Sequence, residues 1–579
     1  MIVTGLHYVG HDLLRYPPST VHAQQPQMGH PVIYLESFGN ESKGDLVPYA
    51  SVNSIDDVTP TAAQDSTIHL FHDRPSLDEQ KWHPTVRDRL VFICIVILAM
   101  MDTFDATVLL PILPYLAFSF DAPLVSTFWV NTAYLIVSAA SQPFFTMICD
   151  VFSHGLVWII AVLCTTIGTG ICSGSMSLTE LIIGRLVQGI GGGGAMSLCL
   201  VAMAESAPVS IHSRYSCYIQ LTRMFGFILG PIIGGLFADN ARWTWAFYFN
   251  FIFCVLGLLL LPFAVDLRAA KNVALHKLRT LDWPGAVMAF LGPGSVLVGL
   301  AWGGISYGWD EWQTLMPIAV GLAVMAALGF YEAKWALHPY FGGQVFRTRS
   351  LAMMYLGIFC HGFVVFCQLQ FFALYFVSTK SFSATLSSVA LLAITGLAVT
   401  PAAVVGILLA RESQYSKWIV PSGWILATLS AGCSILLDTD TPTVGWVFLF
   451  FTAGLGHGLL LSSYNIRIHG VAQEGDDDLS TKPIHMSLFM RVWGMAVAVP
   501  VGAVVFLNMF DQELRNIGLD ADLVATQDYL VLTDQGKMSH SQREVINDVS
   551  VLALRVVWEV IAGVSAVGGI SSIFLWRKR

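Results

Sequence analysis

The sequence predicts an all-α, multi-pass membrane protein with fourteen transmembrane helices. Of its 579 residues, 55% are hydrophobic and only 12% are charged. That is too little charge to cover the surface of a soluble protein of this length. The apolar residues also occur in runs of about 20, the length of helix that crosses the hydrocarbon core of a bilayer. Both observations place most of the chain in a membrane, and the absence of a basic patch argues against nucleic acid as a partner.

The chain begins with a polar segment, residues 1–87, which is rich in Pro, Ser, His and Asp. Such a composition cannot bury enough apolar surface to fold alone, so we expect a disordered cytosolic tail. The first long apolar run starts only near Leu90, so no N-terminal signal peptide is expected.

Apolar runs long enough to form transmembrane helices follow this tail. They lie near 90–115, 124–148, 155–173, 178–203, 214–238, 243–265, 281–306, 313–333, 351–377, 385–410, 416–437, 443–466, 483–510 and 551–576.

The Lys and Arg residues give these spans an orientation. With the N-terminus in the cytosol, the short inner loops are basic and the short outer loops carry almost no base, as the positive-inside rule requires. Most of the exceptions lie in one long outer loop, 511–550, to which the rule applies only weakly. An even number of spans therefore predicts that both termini are cytosolic.

Short patterns recur at nearly the same spacing along the chain and predict two related halves. The sequence GIGGG at 189–193 corresponds to GLGHG at 454–458, and the pattern R-x-x-G occurs at 223–226 and again at 491–494. Internal repeats of this kind are typical of transporter folds, although chance similarity between glycine-rich helices is the alternative.

The repeat divides the membrane part into three segments. We expect an N-terminal six-helix half at 88–265 and a C-terminal six-helix half at 351–577. Between them, 266–350 would hold an inserted pair of helices with their loops.

A glycine-rich stretch dominates the fifth span. Gly226, Gly230 and Gly234 recur every four residues, so a helix places them on one face as a smooth ridge that a second helix can approach closely. Gly235 adjoins this ridge, and Pro231 removes a backbone donor, which predicts a bend. The stretch is either a hinge or a site of helix packing alone.

Two carboxylates lie within the first span. Asp102 and Asp105 are three residues apart and therefore share one face of a helix. A charge in the membrane costs about 2.5–3.5 kcal/mol on insertion scales, so each needs a partner or a water-filled cavity. Two carboxylates at this spacing disfavour joint ionisation, which suits reversible protonation. Capping or pairing with an arginine is the alternative for each.

Arginines within other spans are the candidate partners. Arg185 in the fourth span cannot lose its proton in practice, so it is a fixed counter-charge, and Gln188 shares its face. Arg223 and Arg491 occupy matching places in the two halves. Each could bind an anionic group or pair with a carboxylate.

Polar residues in the second and ninth spans are candidates for lining a cavity. The repeat places Gln368 and Gln370 opposite Asp105, with His361 two turns earlier, and Asn131 and Tyr134 lie in the second span. A hydrogen-bonded role in helix packing is the alternative for all of them.

Several motifs together resemble the fourteen-helix drug:proton antiporters of the major facilitator superfamily, in the form of fungal pumps for secondary metabolites and toxins. DATVLLPILP at 105–114 resembles the first-helix pattern D-x-T-I-V-x-x-A-L-P, and GRLVQGIG at 184–191 resembles the fourth-helix motif R-x-x-Q-G-x-G. GFILGPIIGG at 226–235 is similar to the fifth-helix antiporter motif. RWTWAFYFN at 242–250 resembles the opening of helix six, and FMRVWG at 489–494 resembles F-x-R-x-x-G.

The resemblance covers about 88–577 and implies a major facilitator fold that exports small amphipathic organic compounds by proton antiport with alternating access. Asp105 would carry the coupling proton, and Arg185 and Gln188 would stabilise its ionised form. The resemblance further implies a monomer in the plasma membrane, or in a vacuolar or vesicle membrane, with small-molecule substrates, protons and lipid as partners and with no cofactor or metal.

One loop departs from the family pattern. After the second span the family has G-x-L-x-D-x-x-G-R-K, whereas this chain has TMICDVFSHG at 146–155. The family motif is thought to latch the two halves on the cytosolic side. Asp150 is kept and His154 takes the position of the arginine, so both are candidates for a gating loop.

Other functions remain open from the sequence. The same fold could import a substrate such as an iron–siderophore chelate, or could serve as a non-transporting sensor. A sensor would be expected to carry a long signalling tail, whereas this C-terminus follows the last span almost directly. An enzyme is not expected, because the sequence shows no nucleophile–base cluster or metal-ligand spacing, and no phosphate-binding loop for ATP.

Overall fold

A computed structural model gives the fold of the protein. It describes residues 83–149, 151–265, 281–304, 307–336, 346, 348–411, 413–473, 482–518 and 540–576. Nearly all of the predicted tail, and most of the predicted loop 511–550, lie outside these residues.

The described residues are almost entirely α-helical, which confirms the predicted fold class. The helices are α1 Val86–Thr107, α2 Leu113–Ser119, α3 Leu124–Cys149, α4 His154–Gly174, α5 Leu178–Ser206, α6 Val209–Asn240, α7 Trp245–Ala264, α8 Trp283–Trp302, α9 Trp312–Lys334, α10 Arg349–Ser378, α11 Ala384–Thr395, α12 Val399–Arg411, α13 Ser413–Ser434, α14 Thr443–Gln473, α15 Lys482–Asn516 and α16 His540–Ile573, followed by a 3-10 turn, Phe574–Trp576.

Within the described residues, 12 helices are long and apolar enough to cross a membrane. Two predicted spans are not among them. The span predicted at 385–410 is divided between α11 and α12, and the span predicted at 416–437 corresponds to α13. Pro401 lies in the first turn of α12, where its missing N–H breaks no helical hydrogen bond. The count of fourteen therefore stays a prediction.

The first predicted span also differs from one continuous helix. α1 ends at Thr107, and a turn with hydrogen bonds between residues three apart leads into α2. Pro111 and Pro114 lie in this segment and lack the N–H groups that would continue α1. The interruption comes two residues after Asp105, so this carboxylate lies in the last turn of α1.

The helices pack into two groups that meet along two seams. In the first group α1 contacts α5, α6 and α7, and α5 also contacts α3 and α4. In the second group α10 contacts α15 and α16, and α14 contacts α12 and α13. One seam joins α3 to α15, and the other joins α6 to α11 and α14. α8 pairs with α9 and also contacts α3 and α15. The exact limits at 265/266 and 350/351 stay predictions.

The glycine ridge of α6 lies directly on α1. A Cβ atom at Gly226 would overlap the Thr103 side chain, one at Gly230 would lie 3.1 Å from the Phe104 carbonyl oxygen, and one at Gly234 would overlap the Val108 carbonyl oxygen. Each glycine therefore fits because it has no side chain. This contact covers the stretch of α1 that carries Asp102 and Asp105.

The neighbouring residues of α6 face the other group. A Cβ atom at Gly235 would lie 2.5 Å from the Ala384 carbonyl oxygen at the start of α11. Pro231 lies inside α6, which continues past it to Asn240. Thus one face of α6 packs closely against α1, and Gly235, beside that face, packs closely against the start of α11.

The second group repeats this contact with different helices. A Cβ atom at Gly494 of α15 would overlap the carbonyl oxygen of Phe359 and lie 2.9 Å from the Phe363 nitrogen, both in α10. The pair α15–α10 therefore packs as the pair α6–α1 does.

Candidate functional site

A buried polar cluster surrounds Asp105, which has no solvent-exposed surface. Gln188 Nε2 of α5 donates a hydrogen bond to Asp105 Oδ1 at 2.8 Å, and Asn250 Nδ2 of α7 donates to Oδ2 at 3.0 Å. Both amides also donate to the Thr169 hydroxyl of α4, at 3.0 and 3.3 Å. Four helices thus hold this carboxylate, and each of its oxygens has an amide donor.

Arg185 is the buried cation of this cluster, yet all its hydrogen-bond partners among the described residues are neutral oxygens. Its donors reach Gln188 Oε1 at 2.7 Å, the Asp105 carbonyl oxygen at 2.9 Å, Asn131 Oδ1 at 3.1 Å and the Val130 carbonyl oxygen at 3.2 Å. The guanidinium carbon also lies 4.2 Å from the ring centroid of Tyr134, a cation–π contact. Gln188 therefore bridges the cation and the Asp105 carboxylate.

Asp102 belongs to a second set of contacts. The Tyr134 hydroxyl donates to Asp102 Oδ1 at 3.2 Å, and Arg223 Nη2 of α6 forms an ion pair with Oδ2 at 3.3 Å. The two carboxylates of α1 thus have separate partners: Asp105 has amides, and Asp102 has an arginine. Arg223 pairs with a carboxylate, as the sequence allowed.

A cavity lies between the two helix groups, with about 590 Å³ of empty space that is partly open to solvent. Arg223 and Gln220 of α6 line one wall, and His361 of α10, His457 of α14 and Arg491 of α15 line the other. Neither this cavity nor an adjoining one of about 450 Å³, which shares both arginines, has an Asp or Glu among its described lining residues. Of the predicted cavity residues, the two arginines and His361 line this space, whereas Asn131, Tyr134, Gln188, Gln368 and Gln370 are not among its described lining residues.

The glutamines predicted in the ninth span have separated roles. Gln368 Oε1 lies 2.6 Å from His457 Nε2, and the rings of His457 and His361 are 5.4 Å apart between centroids. Gln370 instead faces a smaller hollow beside α2 and α3, lined by residues such as Phe128. Gln368 thus contacts a residue of the central cavity, and Gln370 does not reach that cavity.

The helix contacts correct the equivalence that the sequence repeat predicted. The first glycine of each R-x-x-G pattern lies on a carbonyl oxygen of its partner helix, that of Met100 in α1 and that of Phe359 in α10. The residues two positions further on are Asp102 and His361. The counterpart of Asp102 is therefore His361, and Gln368 and Gln370 lie one turn or more beyond the counterpart of Asp105.

A model of the Major Facilitator Superfamily matches residues 95–476. The chain belongs to the major facilitator superfamily. It is 29% identical to "MFS transporter L2" of a Phoma species, over 86% of this chain and 83% of that protein. It is 26% identical to "Efflux pump FUS6" of Gibberella moniliformis, over 84% and 87% of the two chains.

A solved structure shares the fold. The inward-facing, unoccupied structure of a bacterial homologue of the human lysosomal transporter Spinster aligns with a TM-score of 0.55 at 13% identity, over 86% of this chain and 99% of that one. At this identity the likeness concerns the fold alone. Together with the family match, it confirms a multi-pass membrane transporter of the major facilitator superfamily that is similar to fungal efflux pumps.

Contacts between the two groups of this major facilitator protein include a polar cluster around Asp239, near the end of α6. Its Oδ1 accepts from the Tyr115 hydroxyl at 2.8 Å and from the Ala384 backbone nitrogen at 3.3 Å, and its Oδ2 accepts from the Thr385 backbone nitrogen at 2.8 Å. A carboxylate at a helix N-terminus is favoured by the exposed N–H groups and the helix dipole. Asp239 therefore caps α11 of the opposite group.

The predicted gating loop is described only in part. Asp150 lies outside the described residues. His154 contacts Glu205 at the end of α5, a pair that is ionic only when the imidazole is protonated. Both belong to the first helix group, so this contact does not join the two groups.

Sequence reasoning missed two residues of the polar cluster, Asn250 and Thr169, and two polar residues of the cavity, Gln220 and His457. Asn250 lies in the sequence RWTWAFYFN that resembles the opening of helix six. It is a polar amide in the otherwise apolar α7, and this contrast could have identified it. His457 stands inside the repeated GLGHG stretch, where the glycines drew attention instead. Thr169 gives no signal in the sequence, because threonine is common in apolar helices.

Proposed function

We propose that this transporter exports small amphipathic organic compounds by proton antiport, with Asp105 as the coupling carboxylate. The names of the relatives, which include efflux pumps of fungi, support export. We place the protein in the plasma membrane, with a vacuolar or vesicle membrane as the alternative, and with both termini in the cytosol.

The observation that carries this proposal is the environment of Asp105. Its ionised form accepts hydrogen bonds from two amides. The protonated form needs an acceptor, and Asn250 Oδ1 is buried with no hydrogen-bond partner in the part of the chain that the structure describes. A rotation of the Asn250 amide by half a turn would present this oxygen to the protonated carboxyl group. The cluster is therefore suited to hold Asp105 in either protonation state.

Proton exchange at Asp105 also requires movement, because the carboxylate is sealed from solvent. α1 is held closely by the ridge of α6, and α6 in turn reaches α11 of the other group. A change in the seam between the groups would therefore move α1 and open a path to Asp105. Binding of a proton then biases which side the cavity faces, provided that the two states hold the proton with different affinity.

Efflux from a yeast host that lacks its own multidrug pumps tests the proposal. Cells that express the protein should retain less of at least one amphipathic dye than cells with an empty vector. A proton uncoupler should abolish the difference. If expressed and correctly inserted protein changes the retention of no compound in a broad panel, or if efflux continues at full rate with the uncoupler, the proposed function is wrong.

A further inference from the structure

We propose that the central cavity binds an organic anion at Arg491, so that the exported compounds are amphipathic acids carrying a carboxylate or a similarly acidic group. This inference rests on the proposed function and names its substrate class. Three features support it: the charge of the cavity, the difference between the two helix groups, and the unpartnered polar atoms of the cavity wall.

Arg491 is a buried cation for which the described residues provide no counter-ion. Its side chain is 6% exposed, and among the described residues it has no ion pair and no hydrogen bond. Arg223, across the cavity, differs because it is paired with Asp102. A desolvated guanidinium without a partner is costly. The cavity therefore carries one unbalanced positive charge, which an anionic ligand would neutralise.

The comparison of the two helix groups shows why this charge is unbalanced. Arg223 and Gly226 of α6 lie on α1, where the residue beside the contact is Asp102. Arg491 and Gly494 of α15 lie on α10, where the residue at the matching place is His361. The second group thus keeps the arginine but has an imidazole in place of the carboxylate. The carboxylate of a bound compound would supply the group that this site lacks.

The imidazoles beside Arg491 offer further hydrogen-bonding groups. His361 is 2% exposed, and neither of its ring nitrogens makes a hydrogen bond with a described residue. A neutral imidazole carries one N–H donor, and that of His457 is directed at Gln368 Oε1, so the donor available to a ligand is the N–H of His361. Donors from the Arg491 guanidinium and from His361, which line the same cavity, suit a carboxylate, since Arg binds this group with two parallel hydrogen bonds.

The remainder of the cavity suits an apolar body. Its wall includes Met224, Phe227, Leu369, Leu461 and Met495, which offer apolar surface to the body of a ligand. An amphipathic amine would bring its charge towards an unpaired guanidinium. The cavity therefore favours acids over amines of the same shape.

Binding to the purified full-length protein in detergent micelles tests the inference without any need for transport. We would use three matched series, built on naphthalene, biphenyl and decalin, each with an acetate, the corresponding acetamide and the corresponding ethylamine. Affinities come from thermal stabilisation and from quenching of tryptophan fluorescence. In at least one series the acid should bind about tenfold or more tightly than its amide, and the amine should bind most weakly.

Two variants test the residues. Arg491→Gln should weaken binding of the acid at least about tenfold and change binding of the amide by no more than about twofold. The exposed Arg555 of α16 provides the control, since Arg555→Gln should change neither. His361→Asp would place a carboxylate beside Arg491, as in the Asp102–Arg223 pair, and should remove the preference for acids from a protein that still folds.

The inference is overturned if no acid binds more tightly than its amide, or if the preference for acids persists in Arg491→Gln or, should that variant not fold, in His361→Asp. Export of neutral compounds with no preference for acids would remove this inference alone. Binding of acids without proton-driven export of any compound would remove the proposed function alone.

Discussion

Replacing Asp105 by Asn should separate binding from proton-driven export. Asn has the shape of the protonated carboxyl group, but it cannot exchange a proton. We therefore expect Asp105→Asn to bind substrate and to exchange it between the two sides of the membrane. Accumulation of substrate against its gradient should be lost, because no proton then moves with the conformational change.

The contacts of Asp105 show why the variant should fold. Gln188 cannot reverse its amide, because its Oε1 accepts the 2.7 Å hydrogen bond from Arg185. The side-chain oxygen of the introduced asparagine must therefore face Gln188, and its NH₂ group must face Asn250, whose Oδ1 is free to accept after a flip. Two charge-assisted hydrogen bonds become neutral ones at a cost of about 1–3 kcal/mol. Removal of the buried charge offsets most of this cost, so the free energy of unfolding should change by less than about 2 kcal/mol.

Proteoliposomes with an imposed pH gradient measure the coupling. For one-to-one exchange of a proton with an amphipathic probe at zero membrane potential, one pH unit supplies about 1.4 kcal/mol, which supports a tenfold accumulation. The wild type should approach this ratio, and Asp105→Asn should stay near one, while both show exchange of labelled for unlabelled probe. Asp102→Asn is the matched control, because it removes the other α1 carboxylate; we expect slower transport with accumulation retained.

If Asp105→Asn still accumulates the probe and an uncoupler abolishes that accumulation, the coupling proton is carried elsewhere. Asp102 would then be the next candidate, because its pairing with Arg223 at the edge of the cavity could also respond to a proton. If the variant neither binds nor exchanges the probe, Asp105 has a structural role beyond its two amide hydrogen bonds.

Three further experiments test other parts of the structure. Gly230→Leu should leave membrane insertion intact and abolish transport, because a side chain at this position meets α1. Gly563→Leu is the control and should leave transport unchanged, because a Cβ atom there would meet nothing within 4 Å among the described residues. Equal transport by the two variants would contradict the close packing of α6 on α1. Asp239→Asn removes one acceptor from the cap of α11. Leu374 of α10 is buried and lines the small hollow between α10 and the first helix group, so a cysteine placed there reports on separation of the two groups. In Asp239→Asn it should react with an impermeant maleimide about fivefold faster, as loss of about 1 kcal/mol predicts, and an unchanged rate would show that the cap does not hold the groups together. A cysteine at Asp440, in the predicted outer loop between the spans 416–437 and 443–466, should be labelled by the same reagent in intact cells. Labelling only after permeabilisation would contradict the predicted topology.

Much of the fold could be predicted because amino-acid composition and local apolar patterns identify its helices. Runs of about 20 apolar residues identify the helices one by one, and each predicted span coincides with helix. The exceptions occur where proline changes backbone bonding. Pro111 and Pro114 interrupt the first span, and Pro401 lies where the tenth span divides into two helices. The apolar pattern alone does not detect such breaks.

The site was predictable where it depends on a local motif. Arg185 and Gln188 lie one turn apart on α5, so their shared face follows from helical spacing, and the family pattern placed them near Asp105. The partner of Arg223 could not be chosen in this way. Its pairing with Asp102 depends on the close packing of α6 on α1, which is a tertiary contact.

The repeat was detectable in sequence but could not be aligned residue by residue. The glycine patterns of α5 and α14 and the R-x-x-G patterns of α6 and α15 do not fix the alignment of α1 with α10, since the connections between the helices differ in length. When the number of residues between the repeated glycine and R-x-x-G patterns is applied to α1, it pairs Asp105 with Gln368 and Gln370. Only the backbone contacts of Gly226 and Gly494 show that His361 corresponds to Asp102.

This corrected equivalence suggests that the two helix groups bind different ligands. Both groups keep an arginine beside a close helix contact, so the shared fold explains that pair of residues. They differ at the position that faces it, where the first group has Asp102 and the second has His361. In the first group the cation is neutralised within the protein, and a further carboxylate, Asp105, lies in a cluster suited to either protonation state. In the second group no described residue forms an ion pair with the cation, and we propose that a ligand neutralises it. We infer that the proton is handled by the first group and the substrate by the second. The proton then changes the charge of the sealed cluster at Asp105, and the substrate changes the charge of the cavity wall at Arg491. Exchange of the two across a membrane requires that each ligand binds the two states of the transporter with different affinity.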